Sequence, residues 1–194
     1  MKEKWINIFK KSNKKDILKK GLLCIFIIII IIVIILAIKE IKRSNNYKKE
    51  LTLTATEMIN SINQSKDCMN TIKDVWYNSI WKIENEKTNL YTKTNGKFNN
   101  SFNDSLQALM NDKDFKKNIY DVKNSQKEIK KSLDKLKNPP LTWKNSYQKT
   151  KDSYKDYLEI TKLCTNHSGN LLSYSEKVEK VDKIINKVKK NIDY

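Results

Sequence analysis

The chain carries one uninterrupted apolar run, from Leu22 to Ile38, with the sequence LLCIFIIIIIIVIILAI. A helix rises about 1.5 Å per residue, so this run together with Gly21 approaches the roughly 30 Å hydrocarbon core of a bilayer. No charged residue interrupts it. The pattern predicts one transmembrane helix over residues 21–38.

Beyond this run, apolar residues recur at spacings of three and four, which is typical of helices with a narrow buried stripe. The stripe predicts three helices, over about 51–91, 97–137 and 141–192. The Asn-Gly pair at 95–96 and the Asn-Pro-Pro sequence at 138–140 separate them, because these residues end helices or turn the chain. We therefore predict an all-α fold, in which the transmembrane helix is followed by an elongated antiparallel three-helix bundle of coiled-coil-like type.

Two of these helices contain polar interruptions. Residues 166–170, with the sequence NHSGN, predict a kink or short break in the third helix. The apolar stripe keeps its phase across that gap, so the two pieces are predicted to stack along one axis. Four polar residues at 111–114 predict a kink or a phase shift in the second helix.

The charge is concentrated around the apolar run. The chain has 39 basic and 22 acidic residues, for a net charge of +17, of which residues 1–20 carry +6 and residues 39–50 carry +3. The organisation predicted is a basic cytoplasmic segment over 1–20, a basic juxtamembrane extension over 39–50 and an extracytoplasmic bundle over 51–194. The larger basic excess before the run favours a cytoplasmic N-terminus in the cell membrane.

Cations beside a membrane segment contact anionic lipid head groups. The sequence predicts such contacts for Lys14, Lys15, Lys19, Lys20, Lys39, Lys42 and Arg43. Because residues 51–194 keep a net charge of only about +8, nucleic acid is a disfavoured partner.

A cleaved signal peptide is the alternative interpretation of the N-terminal region, since it also begins with a basic segment followed by an apolar run. Here the run is longer than a usual signal-peptide core. Residues 35–37, Ile-Leu-Ala, make a poor cleavage site. A retained signal-anchor is therefore the favoured interpretation.

The cysteines provide a test of the topology. Cys24 lies in the apolar run, whereas Cys68 and Cys164 lie in the predicted bundle. If the first and third helices start near Asn46 and Leu141 and run parallel, the last two cysteines stand at matching heights and form a disulfide candidate. The alternative is a pair of unpaired buried thiols in a cytosolic domain.

Residue types that carry catalysis are sparse. The single histidine is His167, and the sequence contains no HExxH, no Gly-rich phosphate loop and no GxSxG motif. A lone histidine at a helix break is more often a solvated or capping residue than a base. The sequence therefore predicts no enzyme activity, no cofactor and no metal site.

Aromatic residues are the remaining candidates for binding. Trp76, Trp143 and Tyr157 fall on the apolar stripe and are predicted to pack in the core. Tyr77 and Trp81 fall off the main stripe and are predicted to form an exposed aromatic patch.

These features predict a membrane-anchored, surface-exposed interaction or scaffold protein without catalytic activity. Its partner would be another protein or an anionic surface polymer. The alternative is an accessory subunit of a membrane transport, secretion or sensory complex, and an enzyme of unrecognised type is the third and least favoured hypothesis. A homo-oligomer is compatible with the pattern, because apolar stripes can also be buried between chains.

Overall fold

The structure, a computed structural model of the chain, describes the backbone of residues 2–166 and 168–192 and the side chains of residues 18–166 and 168–192. In this part of the chain the fold is helical, with six α-helices and one two-stranded antiparallel ribbon. The chain divides into two compact units, Met1–Asn46 and Tyr47–Tyr194, which we call the N-terminal unit and the C-terminal unit. The prediction of a mainly helical protein is confirmed.

The elements follow one another with short connections. In chain order they are α1 (Lys2–Trp81), α2 (Glu86–Thr92), β1 (Lys93–Thr94), β2 (Lys97–Phe98), α3 (Phe102–Asn111), α4 (Lys113–Lys135), a 3-10 turn (Leu141–Trp143), α5 (Lys144–Thr165) and α6 (Leu171–Ile192).

The N-terminal part of α1 contains the apolar run. Among the residues with described side chains, one helical stretch, Leu18–Trp81, contains a segment long and apolar enough to cross a membrane, with a mean hydropathy of 3.7 over 18 residues. None of that segment is buried within the protein. No glycine or proline lies between Leu22 and Trp81, so the local sequence offers nothing that would end the helix between the two units.

The predicted end of the first helix near residue 91 is wrong, because α1 ends at Trp81. Lys82 adopts a left-handed conformation with φ 53°, and the Ile83 N–H donates to the Asn78 carbonyl at 3.0 Å. This is the Schellman pattern of helix termination, which usually uses glycine. The Lys82 ammonium donates to the Asn99 carbonyl. This tertiary contact stabilises a lysine in a backbone conformation that normally favours glycine.

The Asn-Gly pair joins two strands, not two helices. Asn95 and Gly96 have φ of 51° and 78°, the two positive values that a type I′ turn requires. They connect β1 and β2, which pair with Lys93 opposite Phe98. The predicted turn is therefore present, and it belongs to a β-hairpin that the pattern of apolar residues does not indicate.

The predicted helix over 97–137 is two helices. Asp112 has an extended backbone (φ −60°, ψ 136°) that ends α3, and its carboxylate accepts the N–H of Phe115 at 2.8 Å to cap α4. The polar residues at 111–114 therefore mark a true break, because Asp112 provides an N-cap.

The predicted stacking of the two pieces of the third helix along one axis is also wrong. Gly169 has φ 100°, Asn170 caps α6 by accepting the Ser173 N–H at 2.9 Å, and α6 turns back along α5. The Tyr174 hydroxyl donates to the Leu163 carbonyl at 3.3 Å. The chain thus forms a helical hairpin at the break, and the C-terminal unit has four long helical segments where the sequence predicted three.

Side-chain contacts fix the directions of these four segments. The part of α1 after residue 46 and α5 run parallel, since Ser61 contacts Tyr157 at 3.1 Å and Lys48 lies 5.6 Å from the Trp143 ring centroid. The α6 helix runs the opposite way, because Trp76 lies 5.9 Å from Tyr174 and the earlier Lys66 donates to the later Asp182 at 2.6 Å.

The α4 helix is antiparallel to α1. The Tyr47 hydroxyl donates to the Leu136 carbonyl at 2.8 Å, and Gln64 donates to Asn118 at 3.5 Å. Adjacent segments in the sequence therefore alternate in direction, as in an up-down-up-down helical bundle.

The apolar stripe of α1 forms the centre of the core. Its first eight positions are all buried: Leu51, Ala55, Met58, Ile62, Ser65, Met69, Ile72 and Trp76. The last two predicted stripe positions, Ile83 and Leu90, are exposed, because the helix has already ended before them.

A double-mutant cycle between Asp156 and Lys187 tests the α5–α6 hairpin. The two charges lie 2.8 Å apart, whereas a single straight helix would separate positions 31 residues apart by about 46 Å. For Asp156→Asn and Lys187→Gln we expect a small favourable coupling that weakens as salt is added, because the lysine is solvent-exposed. Denaturant unfolding of the full chain in detergent measures it. Zero coupling at low salt would contradict the hairpin.

Candidate functional site

Three regions of the C-terminal unit carry polar or exposed groups of functional interest. They are a buried layer around the two cysteines, an aromatic pair at the end of α1, and a groove between α1 and α4.

Cys68 of α1 and Cys164 of α5 lie together in the core. They are 3% and 1% exposed, and a hydrogen bond joins the two thiols. They lie side by side because α1 and α5 run parallel, and this agrees with the matching heights predicted from the sequence. Both are free thiols in the structure, so the predicted disulfide is not formed. Cys24 is exposed in the N-terminal unit.

The thiol pair has opposite pKa shifts. The pKa of the Cys164 thiol is raised, first because it donates its hydrogen bond to Cys68 and second because it is buried. The pKa of Cys68 is lowered, because it accepts that hydrogen bond. Ser65 also contacts Cys164, and its hydroxyl donates to the Ser61 carbonyl at 2.7 Å.

Hydroxyl groups extend this polar layer across the core. The hydroxyls of Ser61 and Tyr157 share a hydrogen bond of 3.1 Å, and the Gln126 amide donates to Thr161 at 2.6 Å. Both Tyr157 and Thr161 are fully buried. Buried hydroxyls are costly without partners, so pairing of these groups favours one relative position of α1, α4 and α5. This layer cannot be predicted from the sequence, because serine and threonine on an apolar stripe give no distinct signal.

Burial dominates the acid–base behaviour of the tyrosines here. It raises the pKa of Tyr157 from its ordinary value near 10.0 to about 12, against the opposing hydrogen bond with Ser61. Burial likewise raises the pKa of Tyr174, and nearby Cys164 and Cys68 add to the shift.

The residues predicted to form an aromatic patch lie at the end of α1. Tyr77 is 46% exposed and Trp81 is 60% exposed, and their rings meet edge to face with centroids 6.2 Å apart. Ile83, at 40%, continues the apolar surface along the chain. Trp76 points the other way: it is 5% exposed and stacks on Phe102 at 5.8 Å. Trp76 therefore belongs to the core, whereas Trp81, five residues later on the same helix, belongs to the surface.

The connection after α1 is held against this end of the bundle. Asn78 donates to Thr88 at 2.9 Å, and the hydroxyls of Ser79 and Ser105 lie 2.8 Å apart. Lys93 lies 4.8 Å from the Phe98 ring centroid and pairs with Glu84. The exposed aromatic pair therefore sits beside elements that are tied to α1 by side-chain hydrogen bonds.

A groove of about 300 Å³ lies between α1 and α4 and is lined by polar side chains, including Glu57, Asn60, Gln64, Asn124 and Glu128. It offers carboxylates and amides to solvent. In the part of the chain with described side chains, no three His, Cys, Asp or Glu residues form a group that could hold a metal ion. His167 lies outside the described residues.

The predicted lipid-contacting cations flank the apolar run. Lys19, Lys20, Lys39, Lys42 and Arg43 are exposed, and Arg43 pairs with Glu40 at 3.4 Å. The side chains of Lys14 and Lys15 lie outside the described residues.

Comparison of the chain with protein-family models, with curated proteins and with solved structures finds no match. The functional conclusion therefore rests on the residues and their geometry.

Alkaline pH should destabilise the C-terminal unit through Tyr157. The pKa of Tyr157 is about 12 in the folded chain and near 10.0 in the unfolded chain. The neutral tyrosine therefore stabilises the fold fully below pH 10, and this contribution to the free energy of unfolding is lost as pH rises from 10 towards 12. At pH 11 the loss attributable to this residue is about 1.4 kcal/mol. Tyr157→Phe should remove that part of the pH dependence, measured by denaturant unfolding at pH 8 and pH 11. An unchanged pH dependence would contradict the assignment.

Thiol alkylation should report the burial of the cysteine pair. In the Cys24→Ser full chain we expect Cys68 and Cys164 to react with a hydrophilic maleimide at least about 100-fold more slowly than after unfolding, because reaction requires the bundle to open. Intact mass spectrometry before and after denaturation counts the labelled thiols. Rapid labelling of either thiol in the folded chain would show that the α1–α5 contact is not formed.

Proposed function

We propose that this protein is a membrane-anchored interaction or scaffold module without catalytic activity. Its apolar segment anchors it in the cell membrane as a single-pass, uncleaved signal-anchor with a cytoplasmic N-terminus. The C-terminal unit lies on the extracytoplasmic side and presents a binding surface. The observation that carries the proposal is a membrane-capable segment joined to a folded helical unit that exposes two large aromatic side chains.

The aromatic pair is the surface that we assign to binding. Tryptophan and tyrosine are enriched where proteins bind one another, because each offers a large apolar face with one polar group. Trp81 is exposed over 60% of its surface and Tyr77 over 46%, although Trp76, one residue away from Tyr77, is buried. Because the two exposed rings touch, they form a contiguous apolar patch, which is the kind of surface that marks an interaction site.

The chemistry of the described surface supports binding more than catalysis. Several acidic side chains form ion pairs at exposed positions with lysines three or four residues away, as in Lys117–Asp121 and Lys137–Asp134. Such pairs belong to solvated helix faces. The polar groove by Glu57 and Glu128 is a site for hydrogen bonding, with no nucleophile held by a base among the residues that line it.

The partner that we propose is a protein of the same envelope. An anionic surface polymer would need a dense basic surface at the aromatic pair, and residues 76–104 contain four lysines and three acids. The second candidate function is an accessory subunit of a membrane transport, secretion or sensory complex. It uses the same anchor and the same aromatic pair, but its partner is a polytopic membrane protein.

Photo-crosslinking from position 81 tests the proposal. Trp81→p-benzoylphenylalanine in the full chain, illuminated in intact cells, should give a discrete adduct of higher mass. The matched control is the same substitution at Tyr120, which is 67% exposed on α4 and should give none. A polytopic membrane protein in the adduct would favour the accessory-subunit role, and a second copy of the chain would show a homo-oligomer. The same yield and adduct pattern at both positions would contradict the proposed surface.

A further inference from the structure

The segment that joins α4 to α5 exposes an apolar side chain on a rigid turn. Leu141 is 88% exposed, more than any other large apolar residue with a described side chain. It follows Pro139 and Pro140, whose rings fix φ, and the Trp143 N–H donates back to the Pro140 carbonyl at 2.9 Å. We call residues 138–144 the Pro-Pro loop. The loop therefore keeps the Leu141 side chain exposed to water, which is unfavourable in free energy for an apolar side chain.

The Pro-Pro loop lies at the end of the C-terminal unit where the chain enters that unit. Tyr47 is the first residue of the unit, and its hydroxyl donates to the carbonyl of Leu136, just before the loop, at 2.8 Å. The ammonium of Lys48 lies 5.6 Å from the ring centroid of Trp143. Only eight residues, 39–46, separate this end from the apolar run, so the loop is tethered to the segment that we propose as the anchor.

The basic charge of the C-terminal unit is concentrated at the same end. Residues 47–50 and 130–152 contain nine lysines and three acids, a net charge of +6 out of the +9 carried by residues 47–194. Two of those acids, Asp134 and Asp152, already pair with lysines. The opposite end, residues 76–104, has a net charge of +1. The exposed leucine therefore stands among cations, which an anionic surface attracts.

We propose that the Pro-Pro loop is a second membrane contact. In this contact Leu141 enters the head-group region of an anionic bilayer, the partly exposed Trp143 lies beside it, and the lysines around them bind lipid phosphates. The combination fits a lipid surface, because tryptophan favours the membrane interface and exposed leucine beside lysine is typical of interfacial anchors. It fits a protein partner less well, because lysine is depleted in protein interfaces. The inference rests on the proposed membrane anchor.

Photo-crosslinking to lipid tests this inference. The full chain carrying Leu141→p-benzoylphenylalanine is reconstituted in vesicles of phosphatidylcholine and phosphatidylglycerol and illuminated, and adducts are identified by mass. The matched control is the same substitution at Leu172, which is 71% exposed in the first turn of α6, near the opposite end. We expect lipid adducts at position 141 and almost none at position 172. Adding Lys144→Gln should lower the yield at position 141 by roughly fivefold.

The outcomes separate the inference from the proposed function. Flotation of the same samples after alkaline carbonate treatment reports the anchor independently. If the chain floats but position 141 gives no lipid adduct, or gives only adducts to a second copy of the chain, the loop contact is wrong and the anchor stands. If the chain does not float, both are overturned. Equal lipid adducts at positions 141 and 172 would also overturn the inference, because they would show contact without preference for the loop.

Discussion

Burial of one face of α1 is the interaction on which the C-terminal unit depends. Between Tyr47 and Trp81 this helix makes side-chain contacts with every helix from α2 to α6, and its stripe of buried residues is continuous along that length. Hydrogen bonds from Asn78 and Ser79 hold α2 and α3 at one end, and Tyr47 holds the end of α4 at the other. Loss of the stripe would therefore leave the other helices without a common partner. Apolar burial at about 25 cal/mol per Å² supplies the energy, and the polar contacts select the arrangement.

The polar layer inside this core explains why the helices pair in one register. An apolar stripe alone allows neighbouring helices to slide by a heptad with little penalty. The hydrogen bonds between Ser61 and Tyr157 and between Gln126 and Thr161 are lost on such a shift, which leaves the buried Tyr157 hydroxyl unpaired. Cys68 and Cys164 belong to the same layer. Their contact is a consequence of the register, and this is why counting residues from the helix starts placed them together.

The sequence predicted those features that depend on burial over many residues. Periodicity identified the buried face of α1, and the membrane-capable segment followed from its length and lack of charge. The features it missed depend on single residues acting through tertiary contacts. Lys82 takes a left-handed conformation that local preference assigns to glycine, so α1 ends ten residues earlier than its pattern suggests. At Gly169 the apolar stripe keeps its phase on both sides, yet phase carries no information on direction, and the chain reverses.

The two candidate surfaces differ in how much of each could be predicted from the sequence. Tyr77 and Trp81 were identified because they fall off the stripe of a long helix. For the Pro-Pro loop the sequence predicts only the end of a helix. The exposure of Leu141 and the cluster of lysines around it depend on how α1, α4 and α5 pack together. The two surfaces lie at opposite ends of the C-terminal unit, with different charge. This separation fits the proposed anchored interaction module, in which the lipid contact and the partner contact are different surfaces of the unit.

Protease treatment of intact cells that express the full chain with one epitope at each terminus tests the central claim most directly. An anchored protein with an exported C-terminal unit should lose the C-terminal epitope and keep the N-terminal one, and both should be lost when the membrane is permeabilised. Retention of the C-terminal epitope in intact cells, with its loss only after permeabilisation, would contradict the account and place the bundle on the cytoplasmic side.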